Sequence, residues 1–166
     1  MKHATLYLHI PYCKQACHYC DFHFSTVRST ENEVVERMLG ELAEGQNLWS
    51  DFEFNSLYFG GGTPSIVAPE LLERFITSAS SMYNLRENAE ITLEANPDDI
   101  TPERLAQWHR IGINRLSVGL QSFDDGELEA ILEGLLPSRS FPKNIEQRVY
   151  FVLFSVLLVS FGNRDI

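Results

Sequence analysis

Residues 9–22 read H-I-P-Y-C-K-Q-A-C-H-Y-C-D-F and hold every cysteine of the chain: Cys13, Cys17 and Cys20. Three thiols within eight residues, spaced C-x3-C-x2-C behind an apolar run, suit one soft metal centre. A structural zinc site closes its tetrahedron with four protein ligands, so a Cys3His site completed by His9, His18 or His23 is one reading. The other is an iron–sulfur cubane on three thiolates, which leaves one iron free for a small molecule. An odd, clustered set of cysteines makes no disulfide framework, and thiols meant for metal fit a reducing compartment.

Working outward, Thr5 to Ile10 (T-L-Y-L-H-I) is rich in β-formers and is stopped by Pro11, which predicts the first strand. Thr30 and Glu33 carry a capping-box pattern, and Val34, Val35, Met38, Leu39 and Leu42 recur at helical spacing behind it. The second strand is expected over Ser56–Phe59, ending in Gly60-Gly61-Gly62-Thr63-Pro64. A second helix follows from Pro69, with Leu72, Phe75, Ile76 and Ala79 inward. Glu90–Glu94 reads as the third strand, closed by the Asn96-Pro97 turn. Thr101 and Pro102 then open a third helix that buries Leu105 and Trp108 and stops at Gly112. Arg115–Val118 is the fourth strand, followed by Gly119-Leu120-Gln121-Ser122 and a helix from about Asp124, with Ser122 and Asp125 as its cap.

Strand, loop and helix repeated four times predict parallel βα units. Cys13, the triple glycine, Glu94 and Gln121 each fall just past the carboxyl end of a different strand, where barrels and open α/β sheets place their chemistry. The expected fold is therefore α/β, a partial TIM-type barrel of about four βα units.

The formal charge of −10, from 23 acidic and 13 basic residues, repels phosphate backbones and anionic membranes and argues against nucleic acid as a partner. No signal peptide is legible, because the apolar run Ala4 to Ile10 is broken by His9 and ends at Pro11; a cytoplasmic location is expected. From Ile131 the βα rhythm is lost. In Val149 to Phe161, 11 of 13 residues are apolar, too short a run for a membrane span of roughly 18 residues. That tail reads either as a buried strand or helix or as a segment without a partner surface.

Glycines let backbone groups approach a charged ligand with no Cβ in the way, and a tight turn alone needs fewer than three. Glu94 can hold ribose hydroxyls or an ammonium group, or form a local ion pair with Arg115. Gln121 can hydrogen-bond the same ligand, and Tyr19 can stack on an adenine or simply pack. For Tyr7 core packing is the default, and His3, His9 and His109 read as ordinary surface or core histidines.

L-Y-L-H-I-P-Y-C-K-Q-A-C-H-Y-C-D-F, Y-F-G-G-G-T-P-S, E-I-T-L-E-A-N-P and G-I-N-R-L-S-V-G-L-Q-S-F, in this order, resemble the oxygen-independent coproporphyrinogen III oxidase family of radical S-adenosylmethionine (SAM) proteins. The likeness covers about residues 4 to 130 and is greatest to the haem chaperone branch. The cluster motif continues as Asp21-Phe22, where the oxidases carry a further cysteine, and strand one starts almost at Met1. The resemblance implies a [4Fe–4S] cluster on Cys13, Cys17 and Cys20. It implies S-adenosyl-L-methionine contacts at Tyr7, Tyr19, Gly61, Gly62, Thr63, Glu94 and Gln121. It also implies haem or a porphyrin as cargo, an unidentified haem acceptor, and an electron donor for the cluster; no catalytic residue is assigned.

Two departures stand against that pattern. The family carries Gly-Arg on the helix after strand four, whereas this chain has Leu132-Glu133. The resemblance also implies further βα units and a C-terminal domain, which are not expected within these 166 residues. Residues 1–130 are accordingly expected to be the N-terminal part of a radical SAM core, and 131–166 a divergent tail of a truncated or frame-shifted product. Decarboxylation of coproporphyrinogen propionates, a zinc-binding module and a non-functional fragment are the other readings.

Overall fold

The computed structural model of the chain describes residues 2–17, 20, 23–119, 126 and 157–160, the last four by their backbone. Four strands, β1 (Lys2–Ile10), β2 (Phe52–Gly61), β3 (Leu85–Ala95) and β4 (Arg115–Val118), pair parallel and lie side by side in sequence order. Helices α1 (Glu31–Gly45), α2 (Pro69–Met82) and α3 (Pro102–Arg110) fill the three crossovers. This in-order winding keeps the crossover helices to one side, as the same-handed turn of βα units requires.

The sequence alternation explains which side. Leu8, Ile10, Leu57, Phe59, Ile91, Leu93, Leu116 and Val118 point to the helices and are buried. Phe75 of α2 meets Phe59 edge to face at 6.2 Å between ring centres, and Leu72, Ala79 and Trp108 are buried with them. The opposite face carries Thr5 and Tyr7 of β1, Ser56 and Tyr58 of β2, Glu90, Thr92 and Glu94 of β3, and Arg115 and Ser117 of β4. Side-chain contacts confirm that they share it. Thr5 Oγ1 lies 2.9 Å from Ser56 Oγ, Tyr7 stacks on Tyr58, and Arg115 bonds Glu90 at 2.5 Å. One wall of the sheet is therefore apolar and packed; the other is polar, exposed at Thr5, Tyr7 and Glu90 and buried at Thr92 and Ser117.

The strands start earlier than their hydrophobic patterns suggest. Lys2, His3 and Ala4 pair with Phe52, Glu53 and Phe54, and the register shifts after Ala4. Backbone pairing there needs no alternation of side chains, so periodicity does not mark it. Helix α2 and its four inward residues agree with expectation, as does α3, whose Thr101 hydroxyl accepts the Arg104 N–H at 3.2 Å. The capping box of α1 does not form. The Thr30 hydroxyl is engaged with the buried Tyr12 hydroxyl at 3.0 Å, and Glu33 pairs with Arg37 one turn on. A tertiary partner has outcompeted the local cap.

The free edge of β4 is also covered. Leu157–Ser160 forms a fifth strand, β5, antiparallel to β4, with Arg115 opposite Ser160 and Val118 opposite Leu157. An unpaired strand edge is a template for another strand, and part of the apolar tail fills it. Expectations for His18, Tyr19, Asp21-Phe22, Gln121, Ser122, the helix near Asp124, Leu132-Glu133 and the rest of the tail lie outside the described residues. Among the described residues no helix is long and apolar enough to cross a membrane.

Candidate cluster and cofactor site

Pro11 breaks β1 and sends the chain into the cysteine loop, which closes on itself. The Cys13 N–H donates to the Ser25 carbonyl at 3.0 Å and the Ser25 N–H to the Pro11 carbonyl at 2.8 Å, so Tyr12 and Ser25 bridge in parallel. Cys13, Cys17 and Cys20 are free thiols, all half-buried. The Cys20 N–H donates to the Cys17 carbonyl at 3.1 Å, a turn that keeps these two close. Burial pushes the Cys13 thiol above its ordinary range. A hydrogen bond from Thr63 opposes that shift, and negative charge on Cys20 and Cys17 adds to it.

The triple glycine forms the seam against this loop. A Cβ on Gly60 would meet the Tyr7 and Tyr58 rings at 2.8 Å, and one on Gly61 the His9 ring at 2.7 Å. On Gly62 a Cβ would collide with the Tyr12 carbonyl and lie 3.0 Å from Cys13 Sγ. Gly61 also has φ +114°, a left-handed conformation that side chains disfavour. The N–H groups of Gly62 and Thr63 donate to the carbonyls of Ile10 and Tyr12, both at 2.7 Å. Any contact of this turn with a ligand therefore falls to groups other than those donors.

Glu94 sits beside the turn. Its Oε1 accepts the Tyr58 hydroxyl at 2.7 Å and its Oε2 the Gly61 N–H at 3.1 Å. The ion pair with Arg115 does not occur, because Arg115 is taken by Glu90. Tyr7 is not a core residue. It is 52% exposed on the polar wall, stacked on Tyr58, with its hydroxyl 3.1 Å from His9 Nδ1. Burial, and then Glu94, raise the Tyr7 phenol above its usual range.

The structure thus brings Tyr7, Cys13, Cys17, Cys20, Gly61, Gly62, Thr63 and Glu94 to one rim, at the carboxyl ends of β1, β2 and β3. Tyr19 and Gln121 lie outside the described residues. Tyr58 escaped the sequence reading, although its place two residues before the glycines, on the face of Tyr7, was a usable signal. Ser117, with its hydroxyl 3.4 Å from the Tyr58 hydroxyl, carried no signal at all.

Three soft thiols on one short loop suit an iron–sulfur cluster. Among the described residues no three His, Cys, Asp or Glu side chains are gathered at metal-holding geometry. His9 has its ring engaged elsewhere, with Nδ1 toward Tyr7 and Nε2 3.5 Å from the His23 carbonyl. That disfavours His9 as the fourth ligand of a zinc site.

Comparison with known proteins identifies the family. A family model described as the radical SAM superfamily matches residues 7–148. The chain is 33% identical over 129 residues to the heme chaperone HemW of Escherichia coli, covering 76% of this chain and 34% of that protein. It is 38% identical over 133 residues to the mitochondrial radical S-adenosyl methionine domain-containing protein 1 of Bos taurus, covering 78% and 30%. Among solved structures, the coproporphyrinogen III oxidase HemN from Escherichia coli, a radical SAM enzyme, superposes with TM-score 0.71 at 25% identity, over 78% of this chain and 30% of that one. The chain spans about a third of the length of the curated relatives it matches.

Proposed function

The chain belongs to the radical SAM superfamily, and on that premise we propose that it is the cluster- and cofactor-binding part of a haem chaperone-like protein. Cys13, Cys17 and Cys20 hold a [4Fe–4S] cluster. Tyr7, Tyr19, Gly61, Gly62, Thr63, Glu94 and Gln121 surround S-adenosyl-L-methionine. The observation that carries this reading is the contact chain from Cys13 through Thr63 and Gly61 to Glu94, which unites the thiols, the glycine turn and a carboxylate on one rim.

Cys13, Cys17 and Cys20 would hold the cluster, and the chemistry it would supply when bound is one-electron reduction of the cofactor's sulfonium. The protein's own share is positioning. Tyr58 and the Gly61 N–H fix the Glu94 carboxylate, whose remaining lone pairs face a cationic or hydroxyl-bearing ligand. Tyr7 and Tyr58 offer a paired aromatic surface beside it, and the apolar wall behind excludes water. Haem or a porphyrin is the proposed cargo, delivered to an acceptor of unknown identity, with an external electron donor for the cluster.

Anaerobic reconstitution with iron and sulfide tests this directly. About four irons per chain and an EPR signal that changes on adding S-adenosyl-L-methionine are expected. About one zinc without sulfide-linked iron would replace the cluster by a structural metal site. The fold shared with coproporphyrinogen III oxidase favours a second reading, oxidative decarboxylation of coproporphyrinogen propionates, for which the bound cluster and S-adenosyl-L-methionine would supply the one-electron chemistry and a separate electron acceptor would complete the oxidation. Product analysis with coproporphyrinogen separates the two; conversion would establish the enzyme.

A further inference from the structure

Lys14 directly follows the first cysteine, and its ammonium group leaves the cysteine loop altogether. Nζ reaches Asp98 Oδ2 at 2.6 Å and also Asp99 Oδ1, both in the short turn after β3. The two arms are not equivalent. The Asp98 side chain is 66% exposed, where an ion pair contributes little. The Asp99 side chain is only 6% exposed, and a buried carboxylate is tolerated when both oxygens are bonded. Here both are. Oδ2 accepts the hydroxyl of the fully buried Ser65 at 2.6 Å.

Ser65 is the hub. It lies three residues past Gly62, and its Oγ also accepts the Asn96 N–H at 3.3 Å while its carbonyl accepts Arg104 Nη1 at 2.9 Å. The loops after β1, β2 and β3 are thereby joined by one chain of contacts, Lys14 to Asp99 to Ser65. The same glycine turn that leaves no room for a side chain between Gly62 and Cys13 is tied at its far end to the residue next to Cys13.

We propose that Lys14, Asp99 and Ser65 are positioning residues for the thiol site, a strut that holds the cysteine loop against the glycine turn and so favours convergence of the three sulfurs when a cluster binds. This rests on the cluster reading above. The strut makes no contact with cluster or cofactor; it acts through the loop backbone at Cys13.

The test uses the reconstituted chain with the variants Lys14→Met, Lys14→Arg, Asp98→Asn, Asp99→Asn and the Lys14→Met/Asp99→Asn pair. The readout is the rate of iron loss to a chelator, with the EPR line shape alongside. Lys14→Met and Asp99→Asn are expected to speed iron loss by about tenfold or more, the usual effect of removing a group that orients a metal ligand. Lys14→Arg should restore the slow rate, and Asp98→Asn should leave it within about twofold, as its exposure implies. The double variant should be no faster than the worse single one, because both break one strut. Wild-type rates in the single variants, or multiplication of their effects in the double, would overturn the proposal. Lys14→Met keeps the buried Ser65–Asp99 bond, so its fold is readable by circular dichroism. Should the wild-type chain take up no cluster, the cluster reading fails on its own account. The strut is then judged on the metal-free chain, where alkylation of Cys17 and Cys20 must be faster in Lys14→Met; equal rates would sink it.

Discussion

Tyr58 and Glu94, on neighbouring strands β2 and β3, are joined by a 2.7 Å hydrogen bond from the phenol to Oε1. With the Gly61 N–H on Oε2, both carboxylate oxygens are oriented from β2. Glu94→Ala leaves that N–H without its acceptor. It is expected to lower the unfolding free energy by about 1–3 kcal/mol, read from urea titrations. Tyr58→Phe keeps the ring stack and the cluster but releases one carboxylate oxygen. Anaerobic calorimetry should then show weaker S-adenosyl-L-methionine binding with unchanged iron content.

The phenols of Tyr7 and Tyr58 are raised by burial and by the negative charge of Glu94, and Tyr83 by burial and Glu41. These three tyrosines should therefore ionise later than the ordinary value of about 10 in an ultraviolet titration. Because the folded values lie above the unfolded one, the associated stability is complete below about pH 10 and is lost as pH rises through the folded values. Glu94→Gln should draw Tyr7 and Tyr58 back and leave Tyr83 unmoved.

Two glycines should respond in opposite senses. Gly62→Ala drives a methyl group into the Tyr12 carbonyl beside Cys13, at an expected cost of about 1–3 kcal/mol and with loss of iron on reconstitution. Gly40, exposed on α1, has open space for at least 4 Å around the position of an added methyl, so Gly40→Ala should stabilise by about 0.5–1 kcal/mol. Thermal unfolding of the two variants decides both.

Acid should act on the ties at the outer surface. The Arg74 guanidinium holds the Glu36 carboxyl below its usual range and joins α2 to α1, and Arg86 does the same for Glu53. Depressed carboxyl values mean stability that is present above about pH 4.3 and lost as pH falls through the folded values. Glu36→Gln should flatten the acid limb of the stability profile, and added salt should shrink the difference.

The sequence by itself determined the parallel βα order, because the apolar residues of β2, β3, α2 and α3 recur at periods that only one kind of element can bury. It also placed all three cysteines on one short loop, since their spacing of three and two intervening residues is a property of the chain itself. The partners of those residues were decided by tertiary structure alone. Thr30 gave up its helix cap to Tyr12, Glu94 turned to Tyr58 instead of Arg115, and Lys14 found Asp99 across 85 positions. Short polar side chains choose among competing bonds by distance and burial, and neither exists until the sheet has brought the loops to one edge.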